Sequence, residues 1–388
     1  MSALNTRLKY VTRFAYGEAL PTDEVQDGPI PVYGSNGCFA SFSRANTGSP
    51  AIIVGRKGSY GKVNWTHEAC FASDTTFVVD ERTTSHHLRW LYWLLQALDL
   101  DKGSDEAAVP GLNRDNAYER EVLLPDGKIQ RAIASFLDSE THAVDALIEA
   151  KQRLLDLLAE KRRTLVAEAV MRGLDRSAPL RPSGIDWLGD IPAHWEVRRL
   201  ATLFTEKDER NEPDLPLLEV SINTGVSVRQ FSTTQIEGTA ADFNTYKVAR
   251  KGSIAFNKMR MWQGAVGVTP TDGLISPDYV VADPSPDIDA VFAGLLFRTA
   301  AFSAECARNS VGITWDRLRL YWDGFRDITI GLPPLDEQRQ IAERLGAEAS
   351  KIDKLANATE RSITLLKERR SALIAAAVTG QIAIPEAA

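Results

Sequence analysis

Residues 124–140 read LPDGKIQRAIASFLDSE, and residues 332–348 read LPPLDEQRQIAERLGAE. Slid by 208 residues with no gap, Leu124-Pro125 falls on Leu332-Pro333, Gln130-Arg131 on Gln338-Arg339 and Ile133-Ala134 on Ile341-Ala342. The phase holds onward. Leu137, Glu140, Asp145 and Leu147 meet Leu345, Glu348, Asp353 and Leu355; Leu158, Glu160, Arg162 and Leu165 meet Leu366, Glu368, Arg370 and Leu373; Ala169-Val170 closes the run on Ala377-Val378. A register kept over such a length marks an internal duplication, and the repeat sets the frame for everything between its copies.

Both copies predict long helices. Between positions 129 and 171 there is no Pro or Gly, and Ala, Leu, Glu, Lys and Arg dominate. Leu137, Val144, Leu158 and Leu165 recur on a seven-residue period, with Leu147 and Leu154 as the second seam; Leu345, Ile352, Leu366 and Leu373, with Leu355, repeat it. Lys151 and Lys161, and then Thr359, Ser362 and Arg369, interrupt these seams. Such polar positions lower stability while fixing register and partner. Pro125 and Pro333-Pro334 mark sharp starts, and Gly173 and Gly380 mark ends. Two related helices in one chain most simply pair with each other, antiparallel, as a coiled coil around a pseudo-two-fold axis. The alternative is two amphipathic helices packed in separate cores.

The material between the helices differs in kind. It is rich in β-branched and aromatic residues and broken every eight to twelve residues by turn signals. Residues 51–54, 76–79 and 279–281 read as buried strands, and each segment carries one helical stretch, at 88–98 and 290–306. The expected fold is α+β: mixed α/β domains at 1–125 and 195–331, helical spacers at 126–174 and 332–380, a linker at 175–194 and a tail at 381–388.

Composition excludes several classes. With 388 residues, 44% hydrophobic and 25% charged, the chain suits a multidomain soluble protein. The start has no apolar run, and the best apolar stretch, 88–100, is broken by Arg89, Gln96 and Asp99, so neither export nor a membrane span is expected. Cys38, Cys70 and Cys306 form no C-x-x-C pair, and His67, His86, His87, His142 and His194 lack metal-helix spacing. A cytoplasmic protein without structural metal is expected.

The net charge of −7 requires that any affinity for nucleic acid be local. In the first segment the strand at 51–54 leads into GRKGSYG (55–61) and KVNW (62–65); in the second, 253–256 leads into NKMRMWQG (257–264). Residues 55–64 and 250–260 hold cations and no acid. The DNA-contacting candidates are Arg56, Lys57, Ser59, Tyr60 and Lys62, and Arg250, Lys251, Asn257, Lys258, Arg260, Trp262 and Gln263. Lys and Arg neutralise phosphates, while Arg, Asn and Gln can make paired hydrogen bonds to base edges. PGLNR (110–114) and VGITWDR (311–317) form a third matched pair and add Asn113, Arg114 and Arg317, with core-closing turns as the alternative. No catalytic signature accompanies them. Asp283-Pro284-Ser285-Pro286 lacks the Pro-Pro-aromatic step of an adenine methylase. Gly55–Ser59 is not a P-loop, and Glu219-Val220-Ser221 after Asp214 lacks a nuclease lysine.

LPPLDEQRQIA (332–342), with the helix that ends in AVTG (377–380), resembles the conserved region of type I restriction–modification specificity subunits. WLGDIPAHWEV (187–197) looks like the start of their second target-recognition domain, and IPVYGSNG (30–37) resembles a frequent opening of such a domain. The first repeat departs from the pattern, with PDGK at 125–128 in place of the second copy's PPLDE. The resemblance spans the chain and implies a bipartite double-stranded DNA site, one half read by each domain. It also implies two modification subunits that bind S-adenosylmethionine, methylate adenine and clasp the helices. Restriction subunits using ATP with Mg for translocation and cleavage can join them. The chain itself would then be non-catalytic and bind no cofactor. A stand-alone sequence-specific regulator and a coiled-coil scaffold for protein partners are the alternatives.

Overall fold

Both copies of the repeat are unbroken helices in the computed structural model, which describes residues 3–21, 28–101, 111–229, 243–314 and 317–384. In chain order the helices are α1 (Leu88–Ala97), α2 (Arg114–Tyr118), α3 (Gly127–Arg172), α4 (Ala290–Phe297), α5 (Ala300–Arg308), α6 (Trp322–Asp327) and α7 (Leu335–Val378). The chain divides into two compact units, Met1–Arg153 with Thr359–Ala388, and Leu154–Ala358. Each long helix thus starts in one unit and ends in the other, so each unit holds the start of one copy and the end of the other.

In the first unit a four-stranded antiparallel sheet runs Ala15–Tyr16, Thr76–Val79, Ala51–Gly55, Val63–Thr66. Ala51–Gly55 is buried along its whole length, which is why it reads as a continuous apolar run. Ile52, Val54, Phe77 and Val79 pack on Trp90, Leu91, Leu94 and Leu95 of α1, while Ala51, Ile53 and Val78 face Cys70 and Ala72. Ala3–Arg7 pairs with Glu121–Pro125, and the latter leads the chain into α3. Ile133, Ala134 and Leu137 of α3 and Ile374, Ala377 and Val378 of α7 close the same core.

The second unit repeats the plan. Its sheet runs Phe204–Lys207, Tyr279–Pro284, Ile254–Asn257, Val266–Val268. Ile254, Phe256, Val280 and Ala282 meet Phe292, Phe297, Phe302 and Phe325 from α4, α5 and α6. Ala169 and Val170 of α3 and Ile341 and Leu345 of α7 complete that core, at the positions the repeat predicts. The single helical stretch expected at 290–306 is two helices. The chain breaks at Arg298-Thr299, where the Thr299 hydroxyl accepts from Phe302 N and starts α5.

Buried polar contacts show the duplication atom by atom. Gln130 Nε2 donates to Pro125 O at 2.9 Å, and its Oε1 accepts from His87 N at 2.9 Å, tying the start of α3 to that of α1. Gln338 Nε2 donates to Pro333 O at 2.9 Å and its Oε1 accepts from Asp289 N at 2.8 Å, tying α7 to α4. Along the helices, Arg370 Nε donates to Asp145 at 2.8 Å in the first unit, and Arg162 Nη1 to Asp353 at 2.7 Å in the second. Within each unit these pairs and the shared cores show the two helical segments side by side, running in opposite directions.

One seam is as expected and the other is not. Leu137, Val144, Leu158, Leu345 and Ile352 are buried, and Leu165, Leu366 and Leu373 are half-buried. Leu147, Leu154 and Leu355 are exposed, and their places are taken by Thr141, Ile148, Leu155 and Ala169 on α3 and by Ile363 and Ala377 on α7. The buried stripe steps by four and three residues through 137, 141, 144, 148, 151, 155 and 158, with half-buried Lys151 on it. Thr141, Ala169 and Ala377 concealed part of the second seam, while leucines on the outer face imitated it.

Candidate nucleic-acid interface

In the first unit the fold brings two of the predicted loops together. Leu112 N donates to Arg56 O at 2.9 Å, and Lys57 bridges to Gly111 in antiparallel fashion. A Cβ on Gly111 would stand 3.1 Å from Arg56 O, so glycine lets the loops approach this closely. The Arg56 guanidinium lies 4.9 Å from the ring centre of Tyr16 and that of Arg114 lies 5.2 Å from the same ring. Tyr16 sits on the two-residue edge strand and is absent from the sequence-derived set; only its place in the sheet reveals it.

Other first-unit candidates have local partners. Lys62 Nζ donates to Asn36 O and Oδ1, both at 2.9 Å. Asn113 Oδ1 caps α2, accepting from Asp115 N and Asn116 N, so its role is to start the helix that carries Arg114. Lys57 and Ser59 are exposed at the turn and Tyr60 is half-buried. Pro110 lies outside the described residues, as do Trp315 and Asp316.

The second unit makes the same joint, Leu320 N donating to Lys258 O at 2.8 Å. Asn257 is buried, and its Oδ1 accepts from Met259 N at 2.9 Å; Trp262 Nε1 donates to Met259 O at 3.0 Å and its ring packs on the core. These two residues frame the turn rather than face a ligand. Arg260, Gln263 and Arg317 are exposed and Lys258 is half-buried.

Arg250 and Lys251 stand elsewhere. They precede the strand Ile254–Asn257 and Lys258 follows it, so the two groups of cations lie at opposite ends of it. The Arg250 guanidinium binds Glu209, Glu212 and, at 3.2 Å, Asp272. Hydrogen bonds to Glu212, then Glu209 and Asp272, hold its proton more tightly than usual. Lys251 N donates to Asp272 Oδ1 at 2.8 Å. The single basic stretch expected at 250–260 is therefore corrected to a structural knot and a separate outward loop. Arg56, Lys57, Arg114, Lys258, Arg260 and Arg317 form no ion pair among the described residues.

The family described as "Type I restriction modification DNA specificity domain" matches residues 192–364. Residues 192–364 thus carry a type I restriction–modification DNA specificity domain, and the comparisons together support a specificity subunit of such a system. The chain is 20% identical over 383 residues to the type I restriction enzyme EcoDI specificity subunit of Escherichia coli, covering 92% of this chain and 83% of that one. Its fold is similar to a chain from a study of complex assembly and conformational transition of the type I R-M system, with a TM-score of 0.71, 14% identity and 98% of each chain covered. It also resembles the HsdS subunit from Thermoanaerobacter tengcongensis, with a TM-score of 0.53, 15% identity and coverage of 98% and 97%. Among the described residues no single helix is long and apolar enough to cross a membrane.

Proposed function

We propose that this specificity subunit reads a bipartite site in double-stranded DNA, one half-site per unit, and docks two copies of an adenine methyltransferase partner. The observation that carries the reading is the repeated joint, Arg56 O to Leu112 N and Lys258 O to Leu320 N, surrounded in each unit by cations that no carboxylate of the described residues neutralises. On a chain of net charge −7, such loops are where phosphate is best received. The readers are then Arg56, Lys57, Ser59 and Arg114 in one unit and Lys258, Arg260, Gln263 and Arg317 in the other. Arg250 and Lys251 are left to stabilise the fold.

Docking follows from the leucines outside the seams. Leu147 and Leu365 are exposed in the first unit, and Leu355 and Leu157, their equivalents in the repeat, are exposed in the second. Two matched apolar places suit two copies of one partner. On this reading the helices are an antiparallel coiled-coil spacer. S-adenosylmethionine belongs on the modification subunits, ATP with Mg on restriction subunits, and the specificity subunit works in the cytoplasm with no catalytic group of its own.

The test is to purify the chain with its modification subunits and map methylated adenines on a randomised DNA library. One bipartite motif is expected from the complex, and no methyl transfer from the chain alone. Methylation without sequence preference, or transfer by the isolated chain, overturns the reading.

A further inference from the structure

We infer that Tyr16, Arg56 and Arg114 form one guanine-reading unit, in which the tyrosine ring is the platform that aims both arginine forks. The inference rests on the DNA-reading role proposed above and assigns a base and a positioning residue to the first half-site.

Three chain segments distant in sequence converge here. Tyr16 ends the edge strand Ala15–Tyr16, pairs with Phe77 of the next strand and is 53% exposed. Arg56 follows the buried strand Ala51–Gly55, and its backbone is pinned by donation from Arg56 N to Thr75 O at 2.8 Å. Arg114 opens α2, whose first turn Asn113 caps. The Leu112–Arg56 hydrogen bond locks the two arginine segments together, and both guanidinium groups lie over Tyr16. Arg56 is also 5.9 Å from the Phe77 ring centre and Arg114 5.8 Å from that of Tyr118. Tyr118 is itself fixed, its hydroxyl accepting from Phe14 N at 2.7 Å.

With both within 5.2 Å of one ring centre, the two guanidinium groups stand no more than about 10 Å apart and repel each other, and a folded protein normally places a carboxylate nearby. Among the described residues there is none. Arg56 Nη1 donates to Asp74 O, at 3.1 Å, and Arg114 Nε is buried with no hydrogen-bond partner among the described residues. The aromatic faces supply the compensating attraction, worth more as the site is desolvated. They also hold each planar fork in a fixed orientation while leaving donors free. A fork held by stacking rather than by a carboxylate suits an acceptor pair that arrives with the ligand. In the major groove, guanine O6 and N7 are such a pair, and arginine reads them bidentately. Phosphate alone needs no aimed fork, because a flexible lysine satisfies it.

The experiment uses the full chain with its modification subunits and a DNA library randomised over the first half-site. Wild type should require guanine at one or two positions there. Arg56→Lys and Arg114→Lys, which keep the charge but not the fork, should each relax one guanine position by about tenfold or more. Tyr16→Ala should relax the same positions, Tyr16→Phe should restore them because the ring remains, and the second half-site should be unaffected in all four. Melting curves of each variant confirm folding. A wild-type complex with no sequence preference sinks both this inference and the DNA-reading role. A first half-site without guanine sinks the inference alone. So do Lys variants that lose affinity equally for all sequences, the signature of phosphate contact, and a Tyr16→Ala variant that folds and keeps its preference.

Discussion

Arg250 and Arg260 are ten residues apart in sequence and stand in unrelated surroundings. Arg250 is held by Glu209, Glu212 and Asp272, so Arg250→Ala should lower the melting temperature of the second unit and leave the salt dependence of DNA binding unchanged. Arg260 is exposed and has no ion pair among the described residues, so Arg260→Ala should leave melting unchanged and reduce the salt slope by about one. Parallel thermal and salt titrations of the two variants decide this, and a reversed pattern refutes it. The cations were legible in the sequence because basic residues without nearby acids stand out. The acids that claim Arg250 were not, since they come from segments dozens of residues away. His87 gives a second test. Its Nδ1 accepts from Trp90 N at 3.3 Å at the start of α1, and burial first, then Arg131, holds its pKa below the ordinary histidine value. The folded state therefore favours the neutral ring. The resulting stability is present above about pH 6.5 and is lost as pH falls through the lowered value. His87→Asn, which caps without titrating, should flatten the pH 5–7 dependence of first-unit melting. An unchanged slope would show that another group dominates.

At the scale of elements, the existence and extent of the long helices were legible and their faces only half so. A seven-residue period fixes one line of buried positions, and Leu137, Val144 and Leu158 lie on it. It leaves the second line to composition, and leucine is a poor guide where the outer face carries it too. Thr141 and Thr359 are buried on the seams while Leu157 and Leu365 are 61% and 63% exposed. Those exposed leucines predict that Leu157→Asp with Leu365→Asp leaves melting unchanged and weakens capture of the modification subunits, as read by pull-down and by methylation rate. Full capture by a folded double variant would move the docking surface elsewhere. The ion pairs carry a complementary expectation. Reversing Asp145 to Arg should destabilise the first unit modestly, and adding Arg370→Asp should recover most of the loss, in a cycle worth about 0.5 kcal/mol for so exposed a pair. The absence of coupling would reduce the pair to a surface contact.

For the whole molecule, the offset of 208 residues was the most informative feature of the sequence. It survives in the structure as matched glutamine ties, ion pairs and core positions. What it could not convey is how loops from the non-repeated segments converge, because Tyr16, Arg56 and Arg114 meet only through sheet order and loop packing. The continuity of α3 and α7 from one unit into the other leads to the final prediction. With 46 and 44 residues they are roughly 65–70 Å long at ~1.5 Å per residue. If they act as the spacer between two readers, the unread gap between half-sites depends on their length. The observed seam specifies how to shorten them: its four-three stepping repeats every seven residues, so removing seven from each helix keeps the buried stripe in phase. Deleting residues 149–155 together with 357–363, the same positions in the repeat, shortens each helix by about 10 Å. That is up to about three base-pair steps of ~3.4 Å. Methylation mapping on DNA with variable gaps should then show the same two half-sites with a gap shorter by up to that amount. A folded, active deletion variant that keeps the wild-type gap would show that the readers are spaced by something other than the helices.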